Sequence, residues 1–359
     1  MSIKIIKYAI AVIVFMILFF SAQRLFMPKH MSETLDGALI AEYYQEVRAG
    51  NQHSVIFIGD CEVYQNFSPA ELFREYGITS YIRGGASQTV WQSYWLLKET
   101  LKYETPQVVI FSVISMGKGD PVSEPYNRLN IDGMRLSAEK LGAASSSMVD
   151  GESKISYIFP ILRYHDRWRE LTSDDFFYFW GSDNVGLNGF FMRSETVPAG
   201  VIPTGARLAD YTLPEVCFDY LDKMRLLCEE NGIEFILVKA PVIWPYWYEQ
   251  WDKQIFDYAE LHSLRYYNLL NMFDETGIDL QTDTPNGGLH MNVHGAEKLS
   301  RWLGQELTAN FDIADERDNP DVLAVWEKKL TDYDELKTIQ LHEFEKYGEI
   351  LKRTYKRSG

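Results

Sequence analysis

A cysteine that directly follows an apolar run is the first residue of this sequence that could do chemistry. Cys61 stands in Gly59-Asp60-Cys61, immediately after the Ser-Val-Ile-Phe-Ile run at 54–58. A turn here would raise the cysteine above the edge of a sheet, and a thiol becomes a nucleophile when a nearby histidine or helix N-terminus lowers its pKa. The pattern therefore makes Cys61 a candidate nucleophile. A small, buried cysteine at a strand end is the alternative interpretation.

A polar motif with two histidines lies far along the chain. His290 belongs to Gly288-Leu289-His290-Met291-Asn292-Val293-His294-Gly295, which introduces the last helix before the tail. His294 starts that helix and is interpreted as a surface residue or a cap.

Alternating strands and helices must position these residues. Continuous apolar runs predict strands that are buried on both faces, and capping signals such as Ser68-Pro69-Ala70-Glu71 predict helix starts. Their order predicts an α/β fold, a three-layer sandwich with a mostly parallel sheet. The predicted strands are 53–59, 80–83, 108–113, 233–238 and 264–268, and the predicted helices are 68–77, 87–102, 132–144, 157–172, 212–230, 249–262 and 294–309.

The residues that follow the predicted strands are the ones expected to meet. In a parallel sheet with covering helices, sites form beyond the carboxyl ends of the strands. This places Cys61, Gly84-Gly85, Lys239 and the segment around His290 at one edge of the sheet.

These motifs, in this order, resemble the SGNH (GDSL-like) hydrolase superfamily, whose chains open with Gly-Asp-Ser after the first strand and close with Asp-x-x-His. His290, Asn292 and Gly295 fit the closing pattern, and the resemblance covers residues 53–310. It implies an SGNH/flavodoxin-like sandwich that performs acyl transfer or ester hydrolysis, with His290 as the general base. Cys61 stands where the family has serine, which indicates either a thioester intermediate or lost activity.

The resemblance implies the remaining site residues less directly. The family's aspartate three residues before the histidine is a glycine here, so Asp283 is the nearest carboxylate and Asn286 is closer still. Cysteine–histidine pairs can use an asparagine as the orienting group, so both residues stay open. Gly84-Gly85 lies where the family supplies oxyanion N–H groups, and Asn127 is the substitute for a Gly-x-Asn-Asp block that has no clear copy.

The stretches 59–64, Tyr126-Asn127-Arg128 and Asp132-Gly133-Met134 resemble the membrane-anchored Gram-positive branch of this superfamily. That branch is related to the D-alanyl transfer protein of lipoteichoic acid synthesis and to alginate O-acetylation proteins. The resemblance implies a cell-surface polysaccharide or teichoic acid as substrate and a membrane-bound O-acyltransferase as partner. A catalytically weak scaffold for such an acyltransferase is the alternative, and a plain carboxylesterase is a third possibility.

Three further residues are candidates for substrate binding. Lys239 could favour an anion or a thiolate at its strand end, and Trp244 lies in the aromatic loop 243–251, where rings could stack on sugars. Arg163 belongs to a run of three arginines within 163–169 that could hold a phosphate or carboxylate. The alternatives are aromatic residues that fill a cap and a salt-bridged helix face.

The composition excludes several function classes. The 51 acidic and 35 basic residues give a net charge of −16, which argues against a nucleic-acid partner because phosphate binding needs a basic surface. Three cysteines are too few for a disulfide framework, and Cys217 and Cys228 are interpreted as core residues of one helix. The histidines and cysteines lack metal-ligand spacing, so we expect no metal, and no motif indicates a cofactor.

The first 28 residues predict a membrane anchor. No charge occurs from Tyr8 to Gln23, and the apolar segment 5–23 is about long enough to cross a lipid bilayer. A cleaved signal peptide is the alternative. The amino terminus favours an N-inside orientation, which would make this a single-pass protein of the cell membrane with the bulk of the chain extracytoplasmic.

We therefore expect four regions. Residues 1–28 would form the cytoplasmic N-terminus and the transmembrane anchor, and 29–52 a stalk. The SGNH-like domain would occupy 53–311, with an insertion at about 116–210. A charged helical tail with apolar residues at helical spacing would complete the chain at 312–359.

Overall fold

The computed structural model describes residues 3–28, 38–173, 175–176 and 187–351. Five parallel strands form one sheet in the order β2-β1-β3-β4-β5. The strands are β1 Val55–Gly59, β2 Ser80–Gly84, β3 Val108–Ser112, β4 Glu234–Lys239 and β5 Arg265–Asn268. The helices are α1 Ile3–Phe26, α2 Ala38–Ala49, α3 Cys61–Asn66, α4 Pro69–Tyr76, α5 Val90–Thr100, α6 Glu124–Ile131, α7 Ala138–Ser147, α8 Lys154–Ile158, α9 Ile161–Tyr164, α10 Glu215–Glu230, α11 Glu249–Leu261, α12 Phe273–Thr276, α13 Val293–Asn310 and α14 Pro320–Tyr347.

The sheet lies between two helical layers, which confirms the predicted three-layer α/β fold. Successive side chains of a strand point to opposite faces. Val55 and Phe57 of β1 accordingly pack under α3, α4, α13 and α14, whereas Ile56 and Ile58 pack under α2, α5, α10 and α11. Because both faces are covered, the strands could be continuous apolar runs, and this made them recognisable in the sequence.

The boundaries of α4 follow its local capping signals. Ser68 caps α4 by accepting the Glu71 N–H (3.3 Å), and Gly77 ends that helix with a φ of 67°. The region 116–210 departs from the prediction, since the expected helix at 132–144 is replaced by α6 and α7. Ser137 supplies the reason, because its side chain accepts the Lys140 N–H (3.1 Å) and starts a new helix.

Two terminal segments pack tightly onto the domain. Residues 38–52 of the expected stalk include α2, whose Tyr43 is fully buried. The predicted tail helix is present as α14, where Trp326 stacks on Phe73 of α4 at 4.6 Å between ring centroids. Residues 29–37 and the basic end of the tail at 352–359 lie outside the described residues.

Helix α1 differs from the other long helices because its apolar side chains are exposed. The span Lys4–Phe26 is long and apolar enough to cross a membrane. The structure therefore contains a helix of the kind predicted for the anchor.

Candidate active site

Two glycines allow Cys61 to begin a helix directly at the sheet edge. Gly59 has a φ of 153° and pairs in register with Gly84 of the neighbouring strand. A Cβ atom on Gly84 would lie 2.6 Å from a methyl group of Val63 and 2.9 Å from the Gly59 carbonyl oxygen. Only glycine permits this close approach, so α3 starts without an intervening loop.

Asp60 caps the helix that carries Cys61. Its Oδ1 accepts the Glu62 N–H at 3.0 Å, and Lys118 Nζ lies 3.8 Å from its Oδ2. Burial raises the pKa of Asp60 to about 6, with a further contribution from the Glu62 charge that opposes the effect of Lys118. The carboxyl group next to Cys61 is therefore held where protonation and ionisation are both accessible near neutral pH.

The surroundings of Cys61 keep its thiol protonated. The side chain is partly buried against the core cluster that includes Val63 and Met291. Burial raises its pKa well above the ordinary value, and the negative charges of Asp60 and Glu62 raise it further. Cys61 is therefore a thiol in this structure, and it would have to lose its proton before it could act as a nucleophile.

Lys239, which the sequence suggests as a substrate-binding residue, is buried in an ion pair. Its Nζ lies 2.8 Å from Glu62 Oε1 and also donates to the Ala240 carbonyl oxygen at 2.7 Å, with both charged side chains buried. Ser112 Oγ donates to the other Glu62 oxygen at 2.9 Å. This network joins the ends of β3 and β4 to α3 and so positions the residue after Cys61.

His290 is oriented by Asn286. The Asn286 Oδ1 accepts the backbone N–H of His290 at 3.0 Å, which leaves the amide Nδ2 facing the imidazole Nδ1 at 2.9 Å. An amide nitrogen only donates, so Nδ1 is the acceptor and the ring proton lies on Nε2. Nε2 is buried and has no hydrogen-bond partner among the described residues, so it makes no bond to Cys61.

The imidazole is neutral over the physiological range. Burial lowers the pKa of His290 to about 4, and the positive charge of Arg193 lowers it further. In the observed hydrogen-bonding pattern the ring presents a donor, Nε2–H. It takes a proton from a thiol only after its own proton moves to Nδ1.

Asp283, the other candidate for orienting the histidine, faces elsewhere. Its Oδ2 accepts from Lys298 Nζ at 2.6 Å and from the Asp279 N–H at 2.8 Å. Its main-chain carbonyl accepts the Asn292 N–H at 2.8 Å. Asp283 therefore stabilises the loop before α13, whereas Asn286 contacts the imidazole.

Helix α3 and the histidine loop are joined directly. The Met291 N–H donates to Asn66 Oδ1 at 2.8 Å, so the end of the helix that starts with Cys61 holds the residue after His290. Asn292 then caps α13 by accepting the N–H groups of His294 and Gly295, both at 3.1 Å. The two predicted motifs thus meet at one end of the sheet.

The predicted oxyanion residues are only partly brought together. Gly84 and Gly85 lie beside α3, but the Asn127 side chain is fully engaged with Gln92, Ser147 and Glu152. Asn130, one helical turn further along α6, lies against Gly85, where a Cβ atom would come within 2.0 Å of its Oδ1. Asn130 Oδ1 is buried without a partner in the described structure. Asn130 and not Asn127 therefore lies against Gly85, and the oxyanion role of Asn127 stays a prediction.

The segment 190–199, which follows a turn at 187–189, lies over the site and was missed by the sequence prediction. Its Phe191 N–H donates to the Tyr64 carbonyl of α3 at 2.7 Å. Its Arg193 carbonyl accepts the Val293 N–H at 2.6 Å. The segment covers both the cysteine helix and the histidine loop, and the apolar triplet at 190–192 was the signal for it.

The two remaining substrate-binding candidates lie at the surface. Trp244 is 47% exposed in the loop after β4. Arg163 Nε pairs with Glu124 Oε1 at 3.0 Å, on the insertion. Among the described residues, no three His, Cys, Asp or Glu side chains converge as a metal site would require.

No family model and no curated protein matches this chain. Two solved structures are similar to it. The first is a proposed acylhydrolase from Bacteroides fragilis, which is 12% identical, has a TM-score of 0.36 and aligns over 74% of this chain and 94% of its own. The second is a GDSL-like lipase from Bacteroides thetaiotaomicron, which is 13% identical, has a TM-score of 0.36 and aligns over 76% of this chain and 99% of its own. A likeness this distant says nothing about activity, so the function has to follow from the site.

Proposed function

We propose that this protein transfers acyl groups through a thioester at Cys61, as a membrane-anchored acyltransferase or esterase of the cell envelope. One observation carries the proposal. Cys61 and His290 come from distant parts of the chain to the same edge of the sheet, and the buried Nε2 of His290 has no partner in the described structure. A buried polar atom without a partner is uncommon unless a reaction or a ligand uses it.

The proposed reaction has two balanced steps. The Cys61 sulfur attacks the carbonyl carbon of an ester, its proton passes to the imidazole, and the alcohol leaves with that proton to give a thioester. A hydroxyl group of the acceptor then attacks the thioester, returns its proton through His290 and regenerates the thiol. Water as the acceptor gives hydrolysis instead. Backbone N–H groups at Gly84 and Gly85, supported by Asn130, would stabilise the oxyanion.

The imidazole tautomer controls the first step. Nε2 carries the ring proton in the resting structure, so proton uptake from Cys61 requires a shift of that proton to Nδ1. Nδ1–H then needs an acceptor, which Asn286 supplies when its amide turns to present Oδ1. This turn breaks the hydrogen bond that Asn286 Oδ1 accepts from the His290 backbone N–H. We therefore expect the free enzyme to be slow and substrate binding to be coupled to this turn.

The anchor and the exposed aromatic loop suggest the substrate class. Helix α1 would hold the domain on the outer face of the cell membrane, and Trp244 offers a ring on which a sugar could stack. We propose a cell-surface polysaccharide or teichoic acid as the acceptor and a membrane-bound O-acyltransferase as the source of the acyl group.

A second function is favoured by a specific observation. The Cys61 thiol is protonated, and His290, at the same end of the sheet, is a neutral donor that makes no hydrogen bond to it, so the two residues lack the thiolate–imidazolium form of activated cysteine sites. A protein that keeps the fold, binds the glycopolymer and serves as a scaffold for the acyltransferase would need no such activation.

Intact-mass measurement separates the two functions. The full chain in detergent is incubated with p-nitrophenyl acetate, beside the variants Cys61→Ala and Cys228→Ala. Transfer predicts one acetyl adduct that hydroxylamine removes, present in the parent and in the control that lacks the buried Cys228 thiol, and absent from Cys61→Ala. If the parent stays unmodified under conditions that acetylate free cysteine, the transfer function is refuted and the scaffold function remains.

A further inference from the structure

The insertion between β3 and α10 packs against the proposed membrane anchor. The Phe19 ring of α1 meets the Phe159 ring edge-on, with 5.8 Å between centroids. Arg167 Nη1 donates to the Phe26 carbonyl oxygen at the end of α1, at 2.6 Å. Residues 154–169, which comprise α8, α9 and the turn after them, therefore lie alongside the last two turns of α1.

The position of Phe19 sets the depth of this contact. An α-helix rises about 1.5 Å per residue, so Phe19 lies roughly 10 Å before Phe26 and about 7 Å inside Arg24, the first charge after the apolar segment. Side chains that touch Phe19 are therefore level with the outer part of the hydrocarbon. Interfacial helices insert to a similar depth of about 5–10 Å.

The same segment exposes large apolar side chains. Ile155, Leu162 and Trp168 are 54%, 53% and 59% exposed, and Phe176 shortly after the segment is 50% exposed. Single exposed apolar residues are ordinary, but four within 22 positions, beside a membrane-spanning helix, are what an interfacial surface requires.

The charges of this segment suit a lipid surface. Residues 154–170 contain four basic residues and two acidic ones, in a chain whose net charge is −16. The Arg169 guanidinium lies over the exposed Trp168 ring, 4.7 Å from its centroid, so an aromatic ring and a cation lie in direct contact. Tryptophan with arginine is typical of the boundary between headgroups and acyl chains.

We propose that residues 154–169 form an interfacial element that is embedded in the headgroup–acyl boundary of the membrane beside α1. The occupant of the exposed apolar surface is the lipid bilayer, and the arginines contact lipid phosphates. This inference rests on the membrane anchoring in the proposed function, and it adds a second, non-spanning contact with the membrane.

The interfacial element is connected to the candidate active site through α6. Arg128 of α6 donates to the Ser156 carbonyl oxygen at 3.1 Å, and Tyr164 donates to Asp132 at 2.6 Å. Asn130, which lies against Gly85 at the site, belongs to the same eight-residue helix, about 12 Å long. The element therefore holds the site close to the bilayer, as an acyl donor or acceptor presented at the membrane surface would require.

Depth-dependent fluorescence quenching tests the proposal on the full chain. Single cysteines replace Leu162, Phe15 or Val201 in a Cys61→Ser background, where the other two thiols are buried. Each is labelled with the NBD fluorophore and reconstituted into phosphatidylcholine vesicles with or without phosphatidylglycerol, which carry nitroxide at the headgroup or along the acyl chain. Phe15 lies in the middle of α1, and Val201 is 91% exposed outside the segment, so they are the spanning and the aqueous control.

The label at 162 is expected to show blue-shifted emission and to lose most of its fluorescence to headgroup and shallow acyl nitroxides, more strongly with phosphatidylglycerol. The label at 15 should be quenched only by deep nitroxides, and the label at 201 by none. If the label at 15 is quenched and the label at 162 behaves like the label at 201, the interfacial element is refuted while the anchor stands. If 15 is not quenched, the anchor itself fails. Trp168→Cys replaces Leu162→Cys should that variant fold poorly, and the quenching expected of the label at 162 is then expected of the label at 168.

Discussion

Two buried histidines lie at opposite ends of the sheet, and their surroundings differ in one respect. His53, before β1, has Glu104 Oε2 at 3.0 Å from Nδ1 and Glu46 Oε2 at 3.7 Å from Nε2. His290, beyond the other end of the strands, has only the amide of Asn286 as a side-chain partner in the described structure.

The presence or absence of a neighbouring carboxylate sets the direction in which the pKa of each histidine shifts. Burial by itself would lower the pKa of His53, but Glu104 and then Glu46 outweigh burial and raise it. Without a carboxylate, burial lowers the pKa of His290 to about 4. The two carboxylates favour the charged form of the first imidazole, whereas the second is a neutral ring. Burial alone therefore does not distinguish the two histidines, whereas the presence or absence of a carboxylate partner does.

The largest expected effect is on the rate of acylation. His290→Gln should slow formation of the Cys61 adduct by about 10²–10⁴-fold, because a positioned proton carrier contributes that much. The measurement is the time course of the acetyl adduct by intact mass. His294→Gln, four residues away on an exposed side chain, is the matched control and should react like the parent. Equal rates in all three proteins would remove His290 from the reaction.

The structural histidine should affect stability. Glu104→Gln is expected to lower the free energy of unfolding by about 3 kcal/mol, because it leaves a buried imidazolium with one distant partner. His53 contributes fully below its unfolded pKa of 6.5, and its contribution is lost as the pH rises through the raised folded value. Glu104 contributes above 4.5, because its folded pKa is lowered.

Urea unfolding of the full chain in detergent measures this effect, which should be largest between pH 4.5 and 6.5. Glu230→Gln, on an exposed carboxylate at the end of α10, should leave stability unchanged. A loss of the same size at every pH would mean that packing, and not the ion pair, is responsible.

For Asp60, the acid next to Cys61, we expect a contribution to stability whose pH dependence is opposite to that of Glu104. Burial raises the pKa of Asp60 from 3.8 to about 6, so its favourable contribution is present below 3.8 and is lost as the pH rises through 6. Asp60→Asn keeps an oxygen to cap α3 and should stabilise the protein at pH 7.5 by up to about 3 kcal/mol, from the two-unit shift. Unfolding at pH 7.5 and pH 4 tests this, and the gain must vanish at the lower pH.

The smallest expected effect is that of a substitution that gives His290 a carboxylate partner, as His53 has. Asn286→Asp gives His290 a carboxylate, which should raise its pKa by about 1–3 units. It also makes Nδ1 the donor and frees Nε2 to accept the thiol proton. Titration of the imidazole by NMR measures the shift, and the adduct should form faster than in the parent. An unchanged pKa would show that burial, and not the missing carboxylate, sets the state of His290.

Patterns carried by neighbouring residues predicted most of the fold. The apolar runs of β1, β3 and β4, the Ser68 cap and the αL glycine at 77 all depend on interactions within a few residues. The convergence of Cys61 and His290 was also predictable, because parallel strands end at one edge of the sheet. The short helices of 116–210 were not predictable in detail, since their ends depend on side-chain caps and on contacts with α1.

Where two residues a few positions apart were both candidates for one contact, only the tertiary structure decided between them. Asn286 and not Asp283 meets the imidazole because Gly287 and Gly288 turn the loop at φ values of 72° and 94°. Asn130 and not Asn127 reaches Gly85 because α6 presents that turn to the sheet.

The sequence by itself determined the class of fold, the order of its elements and the two motifs that meet at the candidate site, because these follow from local periodicity and strand direction. The tertiary structure decided the electrostatic state of each group. Lys239 is buried in an ion pair with Glu62, which lies 177 positions away in the sequence. Protonation and partnership depend on burial and on residues from other elements, and no local pattern in the sequence records them.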